Sequence, residues 1–387
     1  MRSQSFNPLQ YPIGRENPYP QLARHIHGKV TKTAGDYWLI SGYEECRQVL
    51  FDTTNLSVKC RNKVLPYLLG MDPPKHPQAR KRVAKLFSRE TVQDLSTFSQ
   101  KLSRETLSKA NDQCICFADT FAFALPAQTI GHFLGVEKKE QAQFNRWIQF
   151  LMLAPSSMAS GLLSFPLLDV VNSKIDRFFI NKLSKAKADS TPAHIYQWFH
   201  EQSVDGELTE AELLKLIRTL MFAGVVTVSC FISNTLRALH REPRLWEQIK
   251  STPSKLPELL EESLRFDAPV PHSEQFTIRE IEVGGIRIPP NQKVMAFIAL
   301  ANRDPDIFKA PHQFNPERQN ANKHLSFGAG PHACLGAHLA RMIATHLFIS
   351  LSEQFSHFEL QVGPNEIDWL ATTFLRGPRK LPVRFYK

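Results

Sequence analysis

The run Phe327-Gly328-Ala329-Gly330-Pro331-His332-Ala333-Cys334-Leu335-Gly336 constrains this chain more than any other stretch. Two glycines precede a cysteine, a third follows it, and Ala337-His338-Leu339-Ala340-Arg341 reads as the start of a helix. Gly328 and Gly330 permit tight turns and let the backbone approach a flat ligand with no Cβ in the way. A cysteine where a helix begins faces unpaired N–H groups and the positive end of the dipole, both of which stabilise a negative sulfur. The chemistry suits a metal-bound thiolate, tuned by the hydrogen bonds around it. A lone cysteine is usually a small buried hydrophobe, but the pattern around Cys334 argues against that.

The other five cysteines, Cys46, Cys60, Cys114, Cys116 and Cys230, form no disulfide-like framework in a chain of 387 residues. Cys114-x-Cys116 lacks the spacing of a zinc pair, and all five read as packing residues. Hydrophobic residues are 42% and charged ones 22%, which indicates a globular chain and excludes a disordered one. At this length it can bury a large core. No apolar run reaches the roughly 18 residues needed to span a bilayer. Met1 to Phe6 holds no signal region. The expectation is therefore a cytoplasmic protein with no membrane anchor. The net charge of +10 is scattered and no nucleic-acid recognition motif accompanies it, so nucleic acid is not expected as a partner.

Asn17-Pro18-Tyr19-Pro20 is a turn-rich lead-in. Lys29 to Ile40 reads as a small strand pair turning near Gly35, and Tyr43 to Phe51 as a helix. Prolines at 73 and 74 punctuate the start of a helix on which His76 and Arg80, four apart, share a face. Thr91 to Asn181 is mostly helical by pattern. Thr209 to Leu239 is the longest uninterrupted helical pattern, opened by a capping box of Thr209 and Glu212. Pro257 to Phe266 reads as a helix with Glu262 and Arg265 on one face. Ile281 to Pro289 alternates and turns like a hairpin. Repeats, linkers, a nucleotide-binding glycine loop and a flavin segment are all missing.

The 327–336 run resembles the haem-thiolate signature of the cytochrome P-450 family, and the segments above match the family in order from about Asn17 to Phe385. The resemblance implies a mainly α fold with a small β portion, as one domain over residues 1–387. A small β-rich lobe would be formed largely by the N-terminal part and the 275–300 region. It implies haem b, with Cys334 as the axial thiolate to the iron and Phe327 and Gly328 beside it. His76, Arg80 and His332 would bind a haem propionate. Many relatives carry a further propionate-binding Arg just before the hairpin, where this chain has Gln275. Glu262, Arg265 and Arg318 would form the charge network that holds the cysteine loop. Ser57 to Gly70 is a loop over the substrate pocket in the family, or an ordinary packed loop.

On the same resemblance Ala223, Gly224 and Thr227 mark the central helix where it crosses the haem, with Thr227 as the oxygen-activation hydroxyl. The family commonly places an acid just before that Thr, and here Val226 stands in its place. Dioxygen activation consumes two protons, and a valine cannot relay them. The implied activity is oxidation, foremost hydroxylation, of a small organic substrate with dioxygen and two electrons. These would come from a ferredoxin and ferredoxin reductase, docked at Lys81, Arg82, Lys85 and Arg89. The substrate would arrive free or tethered to a carrier protein, in secondary-metabolite biosynthesis. Val226 keeps two other readings open: ring closure, coupling or desaturation on the same fold, and a haem protein that binds a ligand without turnover.

Overall fold

The computed structural model describes residues 16–33, 37–59, 67–110, 113–159, 165–186, 193–203 and 208–387. Strands Val30–Lys32 and Tyr37–Ile40 pair antiparallel, with Val30 opposite Ile40; the turn at Gly35 lies outside the described residues. Tyr37–Ile40 then runs parallel to Lys293–Ala296. That strand pairs antiparallel with Ser273–Thr277, which pairs with Leu56–Ser57 at the edge. Leu39, Ile40, Val294, Met295 and Ala296 are buried here, together with Cys46 and Val49 of the Tyr43–Phe51 helix. These residues form a second apolar cluster beside the larger one built by the long helices. Strands Ile281–Val283 and Ile286–Ile288 make the expected hairpin. Gly284 and Gly285 turn it with φ of +57° and +76°, values that cost only glycine nothing.

The helix Lys75–Leu86 buries His76, Ala79, Val83 and Leu86, a stripe of helical period, and leaves Lys75, Lys81 and Lys85 outside. Ser88 caps the next helix, Arg89–Thr106, by accepting the Thr91 N–H. Thr209 and Glu212 form the reciprocal capping box. Pro257 lies in the first turn of Leu256–Phe266, where its missing N–H costs nothing. Ala337–Gln354 follows the cysteine run and packs against Arg89–Thr106.

Three expectations are corrected. The pattern from Thr209 to Leu239 is not one helix: Glu210–Ala223 ends at Gly224, and Val226–Arg241 begins after Val225. The Gly224 N–H still reaches Leu220 O at 2.9 Å, and Val225, at φ −109° and ψ −58°, stays in the right-handed helical region but is stretched from the ideal helical φ. Second, the combined stretch Glu210–Arg241 carries a window of mean hydropathy 1.8, long and apolar enough to cross a membrane. Two thirds of it, 67%, is buried inside the protein, where it serves as core. Third, Cys114 does not pack. Cys114–Cys116 is an edge strand against Pro382–Tyr386, with Cys114 exposed and Cys116 half-buried, whereas Cys46 and Cys230 are buried. Cys60 lies outside the described residues, as does the rest of 60–66 within the Ser57 to Gly70 loop.

A buried ionic cluster ties distant parts of the chain together. Asp267 accepts from Arg376 Nε at 2.8 Å, from Arg237 Nη1 at 3.3 Å and from Tyr19 Oη at 3.2 Å. Burial would raise the Asp267 pKa, but the guanidiniums of Arg376, Arg237 and Arg303 together hold it well below the carboxylate range. Glu16 answers the surplus cations: its carboxylate takes Arg237 Nη2 at 2.6 Å, and its carbonyl accepts from Arg376 at 3.3 Å.

Candidate functional site

The cysteine run leaves Leu325 as a pair of tight turns. Gly328 N–H donates to Leu325 O at 2.8 Å, and Gly328 and Gly330 take φ of +70° and +67°. The two glycines differ in what a side chain would meet. At Gly330 a Cβ would fall 2.9 Å from Leu50 O and 3.0 Å from Phe51 Cα, so the turn is pressed against the small-sheet helix. At Gly328 the nearest atom would be 3.7 Å away. The Cys334 N–H then donates to Phe327 O at 2.8 Å, which closes the loop and fixes the sulfur. Gly336 caps the helix that follows, two residues beyond the cysteine.

The loop is pinned from behind. Asn302 accepts the Leu325 N–H at 2.7 Å and donates to Ser326 Oγ at 2.8 Å, while Ser326 Oγ donates to Leu264 O at 2.6 Å. Arg265 grips Glu262 in a two-point pair, Nε to Oε2 at 2.7 Å and Nη2 to Oε1 at 2.8 Å, with both side chains fully buried. Arg265 also donates to Asn302 O, Pro311 O and Gln313 O. Glu262 further accepts the Asn315 N–H at 2.8 Å, and Arg318 Nε lies 3.3 Å from its other oxygen. One ion pair thus orders residues 302–318, the span that leads into the cysteine run.

Cys334 is an exposed residue inside a crowded region of the molecule. That surrounding pushes its thiol pKa up, while the Gly336 N–H and the guanidiniums of Arg80 and Arg341 pull it back only in part. The thiol therefore keeps its proton unless a metal takes its place. The rings of His76 and His332 stack at 3.9 Å and 26°. His76 is 1% exposed, and its Nδ1 has no hydrogen-bond partner among the described residues. Burial and the neighbouring Arg80 lower its pKa. Arg80 is half-buried; burial lowers its pKa against the pull of Cys334, and among the described residues it has no ion pair. His76, Arg80 and His332 thus converge beside the cysteine. A carboxylate there would satisfy His76 Nδ1 and neutralise Arg80. With the two turning glycines and the thiol, these residues fit a haem.

The Thr227 group forms a second cluster. Ala223, Gly224 and Thr227 are half-buried within a helix pair whose neighbours Val225 and Val226 are buried, at 0% and 1% exposure. Thr227 Oγ1 donates to Ala223 O at 2.7 Å, across the helix break. The reason for Gly224 is packing: a Cβ there would sit 2.8 Å from Leu220 O and 2.9 Å from Ile130 Cδ1. Among the described residues no hydrogen bond joins this group to the cysteine run. Gln275 is 5% exposed on the strand Ser273–Thr277, and its Oε1 has no partner among the described residues. His272 reaches Thr373 O through Nε2 at 2.9 Å.

Sequence reading passed over three residues of this region. Arg341 donates to both oxygens of Glu261, at 2.6 and 2.8 Å, and its guanidinium lies 4.4 Å from the centroid of the Phe327 ring. His324 Nε2 is 3.3 Å from Glu261. The signals available were the doubled carboxylate at 261–262 and the histidine three residues before Phe327.

The family model described as Cytochrome P450 matches residues 255–385. Cytochrome P450 CYP107DY1 of Priestia megaterium is 31% identical over 322 residues, which cover 83% of this chain and 77% of that protein. This chain belongs to the cytochrome P450 family. The 6-deoxyerythronolide B hydroxylase of Saccharopolyspora erythraea is 29% identical over 90% of each chain. The solved structure of the cytochrome P450 enzyme CYP109B1 from Bacillus subtilis shares 26% identity at a TM-score of 0.84, covering 98% of this chain and all of the other. The mainly α fold with small sheets is the P450 fold. As a P450 the protein is a haem-thiolate oxidoreductase of the monooxygenase type, acting on a small molecule with electrons from a redox partner.

Proposed function

We propose that this P450, read as one domain over residues 1–387, hydroxylates a small organic substrate in secondary-metabolite biosynthesis. Electrons would come from a ferredoxin and its reductase, and the cofactor is haem b. The observation that carries the reading is the convergence on Cys334: an exposed cysteine with Arg80 close enough to act on it and the stacked His76 and His332 beside it. Cys334 would be the axial ligand, and His76, Arg80 and His332 would hold a propionate. A haem held through the Cys334 thiolate would supply the oxidising chemistry.

The protein's own part is to position groups and to move protons. Phe327 and Gly328 shape the ligand loop. The Thr227 hydroxyl donates to Ala223 O at the helix break and keeps its oxygen lone pairs to accept a further hydrogen bond, and Ala223 keeps the adjacent surface small. Val226 is buried in the core, so that position contributes no proton to the reaction. This favours a second reading, an oxidation such as ring closure, coupling or desaturation that leaves no oxygen in the product. The Lys81, Arg82, Lys85 and Arg89 surface would dock an acidic partner, a ferredoxin or a carrier protein presenting the substrate. We place the enzyme in the cytoplasm.

The test has two parts. The reduced carbon monoxide complex of the protein shows the thiolate-type spectrum, and Cys334→Ser abolishes it; an unchanged spectrum refutes the ligand assignment. Turnover with labelled dioxygen and a reconstituted ferredoxin system then divides the reactions. Label in the product supports hydroxylation, an unlabelled oxidised product supports the second reading, and no turnover across carrier-bound and free substrates counts against catalysis.

A further inference from the structure

Glu261 and Glu262 are adjacent on one helix, yet they serve different structures. Glu262 faces Arg265 and the 302–318 span. Glu261 faces the cysteine run: Arg341 clamps it in a two-point pair, and His324 stands at 3.3 Å. His324 Nδ1 accepts the Ser326 N–H at 3.1 Å, so a neutral ring carries its proton on Nε2, toward Glu261. Burial would raise the Glu261 pKa, but Arg341 and His324 bring it down to about 2, so the carboxylate stays charged. Arg341 is thereby held over the ring of Phe327, the residue whose carbonyl receives the Cys334 N–H. Arg341 stands on the helix that Gly336 caps, so its guanidinium packs on the same loop that carries the sulfur.

We propose that Arg341, held in place by Glu261, is a positioning residue whose guanidinium sets the reduction potential of the cofactor bound through Cys334. The inference rests on the reading of Cys334 as axial ligand. An arriving electron adds one negative charge at the metal and its sulfur. A fixed cation nearby favours that charge and a fixed anion opposes it, and the low dielectric of the interior strengthens both effects. Arg80 also faces the sulfur, but a propionate at His76 and His332 would neutralise it. Arg341 has its own counter-charge in Glu261, and the contacts with Glu261 and Phe327 hold it against the cysteine loop.

The experiment is spectroelectrochemical titration of the haem-loaded protein without substrate, for the unmodified chain, Arg341→Gln, Arg341→Lys, Glu261→Gln and the double variant Arg341→Gln/Glu261→Gln. At fixed applied potential, Arg341→Gln lowers the ferrous-to-ferric ratio and Glu261→Gln raises it, each by roughly threefold to tenfold, where tenfold corresponds to about 59 mV for one electron. Arg341→Lys keeps the charge but not the two-point fork, so it shifts the ratio in the same direction as Arg341→Gln and by less, and the double variant returns toward the unmodified protein. Shifts of the two single variants in the same direction, as general loosening of the loop would give, overturn the proposal, and so do shifts below about twofold in both. If Arg341→Gln takes up no haem, Glu261→Gln decides: an unchanged or lowered ratio overturns it. A carbon monoxide complex of the unmodified protein without thiolate character locates the failure in the ligand assignment. A thiolate spectrum with unmoved potentials locates it in the role of Arg341.

Discussion

Replacing Glu262 by Gln isolates what one buried charge does for the cofactor loop. Gln keeps an oxygen for the Asn315 N–H but removes the anion facing Arg265 and Arg318. Arg265 is fully buried and its guanidinium has no route to water. Removing one partner of a buried pair typically costs about 3–5 kcal/mol, most of it from the stranded charge. Here Arg265 retains carbonyl contacts with Asn302, Pro311 and Gln313, which solvate part of that charge and place the cost near the lower end, about 3 kcal/mol. Urea unfolding followed by circular dichroism measures the loss. Because Glu262 orders the span leading to the cysteine run, the Soret band of Glu262→Gln should also disappear at lower urea than its helical signal, whereas the two coincide more closely in the unmodified protein. A loss below about 1 kcal/mol would mean that the charge was neutral to the fold and the pair ornamental.

Two further outcomes follow from the geometry. Gly330→Ala meets the Leu50 carbonyl and Phe51 and carries the left-handed penalty, whereas Gly285→Ala carries the penalty alone, since nothing lies within 4 Å. The first should lower the urea midpoint and haem retention clearly more than the second, which should cost roughly 1–2 kcal/mol. Equal effects would show that the contact with Leu50 and Phe51 is slack. For pH, Glu261 has a folded pKa depressed from 4.5 to about 2. Its stabilisation is therefore present above about pH 4.5 and fades as pH falls toward 2. Stability measured over that interval should converge between the unmodified protein and Glu261→Gln, and a constant gap would contradict the pairing.

What could be read from the sequence was chemistry confined to a few neighbouring residues. The glycines around Cys334, the capping box at Thr209, the Glu262–Arg265 spacing and the Gly284-Gly285 turn each announce themselves within ten residues. What escaped depends on partners far away along the chain. Cys114–Cys116 becomes a strand because Pro382–Tyr386 lies beside it, which no local pattern reveals. The partner of Arg341, Glu261, lies 80 residues before it in the chain. The break at Gly224 and Val225 was hidden for another reason. The apolar period continues through it unchanged, and the deviation lies in the backbone of Val225, not in the pattern of side chains. The same continuity made Glu210–Arg241 apolar enough for a membrane while serving as core.

The Asp267 cluster bears on how this protein is made. Its carboxylate is translated 109 residues before Arg376, the guanidinium that binds it at 2.8 Å, and Glu16 precedes that same arginine by 360 residues. While the chain emerges, Asp267 and Arg237 can meet early, but the site has an unfinished charge balance until Arg376 arrives. The helices around Asp267 therefore cannot close on a dry, charge-balanced interior before Arg376 is synthesised. In this region assembly waits for the end of translation, and the interval is one in which a nascent chain exposes apolar helix faces and calls on chaperones.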